Sequence, residues 1–343
     1  MKKLILTVGL LAAPFAAALN FEEALLAAPG RPDAVSAQLT LINAESSNIR
    51  TEADPLALRI DRLQASQAVE LARVELETAR LTAVADLAEA YGSVLAGREQ
   101  LELARQGLEL AQRGLEITQI RVANGSATEL DLRDAQVSAD EAAALSATAG
   151  SGLRLAVSNL EGMIGQEVDP AALEPIRDDM LPPLPTIEAT LAAAARLPQL
   201  LQVEHGLELA EAGVAMLDPS YASEAQIEDA RTQLETTQQL AGEARRGLML
   251  SARNLHLQAQ DALARLEVEE DAYVNAAERH EFERQRLEGG LISEIAFQQS
   301  GLQLRQAELA LLQAENDAMV ALLKLSAGTL VPLDGPAVLR GER

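Results

Sequence analysis

The chain contains no cysteine. Disulfides, thiolate metal sites, cysteine nucleophiles and a lipid-modified cysteine anchor are excluded together. Tryptophan is also absent and aromatic residues are only 2 % of the sequence, so a large aromatic core is not what organises the fold. Lysine and arginine number 28 against 52 aspartates and glutamates, and the resulting net charge of -24 repels phosphate and excludes nucleic acid as a partner. No segment approaches the ~20 apolar residues of a membrane-spanning helix. The three histidines, His205, His256 and His280, are isolated within helical pattern, and no phosphate loop or metal-binding His-Glu motif accompanies them. An enzyme, a metal site and a cofactor are not expected.

Hydrophobic residues are 48 % of the 343, dominated by alanine and leucine, and charged residues are 23 %. That composition suits long helices packed closely through small side chains. Lys2 and Lys3, an apolar run from Leu4 to Ala13, Pro14 and the small residues Ala16 to Ala18 read as a signal peptide over 1–18. The mature chain is then expected outside the inner membrane.

Helical periodicity fills the rest and is punctuated at Asp54-Pro55, Asn124-Gly125-Ser126, a Pro-rich linker over 181–185, Asp218-Pro219 and Gly289-Gly290. The breaks repeat: Asp218 lies 164 residues after Asp54, Gly290 lies 165 after Gly125, and Gly328 lies 163 after Gly165. A duplication follows, with a first helical repeat over 19–180, a second over 186–331 and a tail over 332–343. Each repeat is expected to hold a short, a long and a short helix: 20–53, 56–122 and 127–164, then 187–217, 220–288 and 293–327. The long helix is ~100 Å and its neighbours ~50 and ~57 Å. Two short helices laid end to end therefore match one long one. The Asp54-Pro55 and Asp218-Pro219 steps read as tight turns between two helices, with Pro serving as a first-turn residue.

On the first long helix, Leu101, Ala104, Leu108, Ala111, Leu115, Thr118 and Val122 form a heptad seam. Leu103, Gly107, Leu110, Gly114 and Ile117 form a second beside it. The second long helix repeats this with Leu248, Ala252, Leu255, Ala259, Ala262 and Leu266, and with Leu250, Leu257 and Ala264. Two seams need a neighbour on each flank, and Gly107 and Gly114 suit a close approach of helix axes. Either a four-helix bundle or a wall closed through several subunits would cover them, and periodicity alone also allows a solid rod.

RVANGSATELDLRDAQ (Arg121 to Gln136) and RLEGGLISEIAFQQSGLQL (Arg286 to Leu304) resemble the hairpin tips of the TolC family of outer-membrane efflux proteins. The helix ends SNLEGMIGQEV and VALLKLSAGTL, and the openings LNFEEALLAA and TIEATLAAAA, are similar to that family's. The resemblance implies an all-α, elongated α-barrel subunit, a trimer, and passive transport across the periplasm. It also implies docking of a periplasmic adaptor protein and, through it, an inner-membrane pump. Localisation is then the cell envelope, associated with the outer membrane. In the family a β-hairpin at each junction between first helix and long helix builds the outer-membrane barrel. Here both junctions are Asp-Pro steps followed at once by helical pattern, so no β-barrel is expected. The alternative is a coiled-coil spacer or tether of the envelope without a lumen.

Two groups of residues carry the functional expectation. Gly125, Ser126, Ala127 and Thr128, with Gly290, Leu291, Ile292 and Ser293, are helix-ending glycines followed by helix-capping hydroxyls. The resemblance adds adaptor docking to that structural role. Glu129, Asp131, Asp134 and Glu294 compensate helix dipoles, and in a closed ring they would also form an acidic constriction that favours cations.

Overall fold

The computed structural model describes residues 20–176, 180–217, 220–336 and 339. The signal-peptide segment 1–18 and the step Asp218-Pro219 lie outside them. Eight helices follow in order: α1 (Phe21–Leu25), α2 (Pro32–Ala53), α3 (Arg59–Ala123), α4 (Glu129–Ile164), α5 (Ile187–Ala194), α6 (Pro198–Met216), α7 (Glu224–Glu288) and α8 (Glu294–Thr329). Among the described residues there is no strand, and no helix is long and apolar enough to cross a membrane.

The long helices α3 and α7 are 65 residues each, and α4 and α8 are 36 residues each. All four boundaries are related by one offset of 165 residues. The first helix of each half is broken where one continuous helix was expected. A 3-10 turn at Ala28–Gly30 separates α1 from α2, and Ala195 to Leu197 separate α5 from α6. The cause is local. Pro32 and Pro198 lack the N–H a helix interior needs and restart the helix at its first turn. Asp54-Pro55 is the tight turn expected between two helices, but Pro55 is not in the first turn of α3, which starts at Arg59. It lies in a turn outside α3, where Ala57 N–H donates to Asp54 O (3.2 Å) and Asp54 Oδ1 accepts from Leu56 N–H (2.9 Å). Proline with φ preset suits the second position of such a turn.

Packing order makes a layer one helix thick. α2 and α4 lie end to end along α3, α6 and α8 lie on the other flank of α3, and α7 packs on α6, α5 and α8. The stacking of two short helices along each long one is as the length match anticipates. Arg73 on α3 meets Glu45 on α2 (3.1 Å), and lower down a Cβ on Gly97 would touch Leu153 of α4 at 3.5 Å. Residues Val84 to Leu95 of α3 are the centre of the core, with Phe21, Leu160, Leu322 and Leu325 around them. Tyr91 anchors this belt. Its ring meets Phe21 edge-on at 5.4 Å, and its hydroxyl donates to Glu174 O at 2.7 Å. Burial pushes the Tyr91 hydroxyl well above its ordinary pKa, so it stays a proton donor.

The Pro-rich stretch 181–185 is irregular, as read from sequence, but it rests on the core through Leu181 and Leu184 rather than hanging free. Leu333 and Leu339 of the tail are also buried there.

Candidate functional site

Both hairpin tips are built the same way from their sequence. α3 ends on Asn124, and Gly125 turns the chain at φ 71°. Ser126 N–H then donates to Arg121 O (2.8 Å) and Gly125 N–H to Val122 O (2.9 Å), a paired closure of the last helical carbonyls. At the second tip Gly290 has φ 69°, Leu291 N–H donates to Arg286 O (2.8 Å) and Gly290 N–H to Leu287 O (2.9 Å). Only a residue without Cβ enters this left-handed region at no steric cost. Thr128 and Ser293 cap the return helices, accepting from Asp131 N–H and Ala296 N–H, both at 3.2 Å. Ala127 and Ile292 are half-buried beside the caps, and Leu291 is exposed at the second apex.

The acidic residues are divided by the fold. Asp131 Oδ2 accepts from Thr128 N–H (2.7 Å) and Thr128 Oγ1 (2.8 Å). These bonds hold its carboxyl below the usual carboxylate range. Glu129 and Asp134 are exposed on the same helix. Glu294 stands apart from them, 3.9 Å from Arg113 of α3. Arg305 of α8 likewise meets Glu99 of α3 at 3.9 Å. In this antiparallel register α3 runs about ten residues past the start of α8. The first tip therefore projects roughly 15 Å beyond the second. Sequence reading set all four acids at one level because it had no register between α3 and α8.

The histidines have ordinary partners. His205 Nε2 is 3.3 Å from Glu70, His256 Nδ1 is 3.4 Å from Thr190 Oγ1, and His280 Nδ1 is 2.8 Å from Ser300 Oγ with its ring stacked on Phe297. Among the described residues no His, Asp and Glu group is arranged to hold a metal ion.

The largest unassigned feature is the pair of free edges. Among the described residues no other helix packs along the outer flank of α2 and α4, or along that of α7. The α2 flank carries Val35, Leu39, Ile42 and Ile49, the α4 flank Leu130, Val137, Leu145 and Leu155, and α7 Leu250, Leu257, Val268 and Phe282, all exposed. These recur at heptad-like spacing, so each edge is a ready seam. Gly107 and Gly114 correct an expectation. A Cβ on either would meet nothing within 4 Å, so they do not bring helices of this chain together. Gly92 and Gly328 do that instead, opposite Asn316 and Leu255.

Residues 57–166 match the family model described as outer membrane efflux protein. No curated protein sequence matches the chain. By structure more than nine-tenths of the chain is similar to solved proteins, three of which follow. The outer membrane protein VceC from Vibrio cholerae has 16 % identity and a TM-score of 0.61, over 94 % of this chain and 96 % of that one. The MtrE outer membrane channel of Neisseria gonorrhoeae, in its open state, has 14 % identity and a TM-score of 0.61, over 92 % of each chain. CusC, solved in a study of transmembrane channel formation, has 14 % identity and a TM-score of 0.64, over 91 % of this chain and 95 % of that one. The matched segment covers about a third of the chain, and the likeness to these solved proteins is one of fold.

Proposed function

We propose that this chain, an outer membrane efflux protein by its matched segment and its fold, is the subunit of a TolC-like tunnel through the periplasm. The carrying observation is the open layer. It has apolar stripes on both free edges, and a soluble chain does not leave two such stripes uncovered. Edge-to-edge repetition of one subunit covers both and must close to avoid a filament. A trimer is the closure that the family resemblance implies. The halves 19–180 and 186–331 are read as tandem copies of one unit, which the common offset of their helices supports. No chemistry is assigned to the chain. It gives passive passage, and energy comes from an inner-membrane pump.

The hairpin tips are read as the docking point of a periplasmic adaptor. They lie together at one end of the layer, and Leu291 offers an apolar contact there. The acidic residues Glu129, Asp131 and Asp134 line the leading tip, with Glu294 set back behind it. The double variant Gly290→Asp, Leu291→Asp is expected to abolish adaptor capture while helicity by circular dichroism is unchanged. Adaptor capture at the wild-type level would defeat this reading of the tips.

A further inference from the structure

The junction between α6 and α8 leaves a cavity in the layer. Both helices lie on one flank of α3, α6 beginning at Pro198 and α8 ending at Thr329. Arg196, just before α6, meets Glu77 of α3 at 3.6 Å, and Lys324 of α8 meets Glu89 at 2.7 Å. The two helix ends are therefore level with residues 77–89 of α3 and do not fill the flank between them. Leu41 of α2, Arg196, the last residues of α8 and one stretch of α3 close around about 410 Å³, a volume in the range of small-ligand pockets.

The charge of this cavity is opposite to that of the chain. Arg73, Arg80 and Arg196 line it with one carboxylate, Glu77, whereas acids outnumber bases 52 to 28 over the sequence. Arg73 is held by Glu45 at 3.1 Å, and Glu77 reaches Arg196 only at 3.6 Å. Arg80 is half-buried, and among the described residues it has no ion pair and no hydrogen bond. Its planar fork keeps five donors and a full charge for an anion. The remaining wall is aliphatic, with Leu76, Leu81, Leu330 and Val331 buried around the guanidinium groups. A bare anion would leave that wall uncovered, and a neutral apolar molecule would leave Arg80 unpaired.

We propose that this cavity binds a small amphipathic anion, a carboxylate or phosphate head on a short aliphatic body. Arg80 takes the head, Arg73 and Arg196 add charge beside it, and the body lies against Leu76, Leu330 and Val331. The ligand joins α2 and α3 of the first half to α8 and the α5–α6 break of the second. None of the exposed edge residues lines the cavity, so the site is separate from the edges that the tunnel reading uses.

Calorimetric titration of the full chain tests this with octyl phosphate, octanoate, inorganic phosphate and octyltrimethylammonium, each below its micelle concentration. The expected result is saturable binding of octyl phosphate, octanoate or both at one site per chain, weaker binding of inorganic phosphate and none of the cation. Binding of one octyl anion alone identifies the head. Arg80→Gln should weaken that binding about tenfold, the loss of one charge-assisted hydrogen bond. Arg231→Gln, on the exposed face of α7, should leave it unchanged. If Arg80→Gln loses helicity, Arg196→Gln supplies the same readout. Absence of saturable binding by both octyl anions overturns the proposal. So does equal binding of the octyl cation, which would mean apolar adsorption alone, or equal binding of inorganic phosphate, which would leave the aliphatic wall out of the site. Full-strength binding by a helical Arg80→Gln overturns it as well.

Discussion

Leu330 ends α8 at φ 61°, a left-handed conformation that a branched side chain adopts only at a cost of about 1–2 kcal/mol. Its counterpart at the shared offset is Gly165, which ends α4 at φ 74°. The sequence pairs Gly165 with Gly328 instead, because glycine is the visible marker of a helix end. Gly328 lies inside α8, where a Cβ would come to 2.5 Å of Leu255 Cδ1. Leu330 tolerates its backbone because its side chain is buried. Leu330→Gly should relieve the strain and still destabilise the chain by about 2 kcal/mol, since losing a buried leucine costs more. Urea unfolding monitored at 222 nm measures this. Two glycines separate packing from propensity in the same way. Gly92→Ala drives a Cβ to 2.9 Å of Asn316 Cγ and should cost about 1–3 kcal/mol. Gly107→Ala meets nothing and should stabilise the isolated chain by roughly 0.5–1 kcal/mol. At the tip, Asp131 has a folded pKa below its unfolded value because Thr128 hydrogen-bonds its carboxylate. Its contribution is present above the unfolded pKa and lost as pH falls through the folded one. Protection of the amides at residues 126–131, taken against the intrinsic exchange rate at each pH, should therefore fall on acidification, and Asp131→Asn should remove that change.

Helix by helix, the long elements were legible from heptads, because 3.6-residue periodicity over many turns admits no other structure. Of the two seams of α3, the first faces α4, where Leu101 lies beside Gly150, whereas α8 meets α3 through Glu99 and Arg113, which belong to neither seam. The breaks before α2 and α6 were missed because Pro29, Gly30 and Pro32 at the first, and Pro198 at the second, were outweighed by apolar periodicity on both sides. The role of Gly107 and Gly114 was also out of reach, since small residues mark a seam without showing whether the chain itself fills it. The helix-ending glycines and hydroxyl caps of the tips were legible for a physical reason. Glycine at positive φ followed by a hydroxyl cap is a local device that needs no tertiary information. The acidic group was read poorly because its arrangement depends on the α3–α8 register. The edge stripe of α7 gives a direct check. Leu250→Glu with Leu257→Glu touches no core residue, so the chain should stay helical while self-association weakens about a hundredfold.

As a whole, the described helices form an unfinished wall: four helices abreast, apolar on both open edges, with two capped tips at one end. Duplication explains the shape, because a second copy of the helix unit extends a layer but cannot close it. Under the tunnel proposal, covering the edges by repetition would make the lumen. Oligomer mass in solution, joined to end-on projections of the same particles, examines this most directly. The expected result is a closed ring of identical chains, three by family resemblance, with a hollow centre. A dispersed monomer whose long helices zip against one another would contradict it.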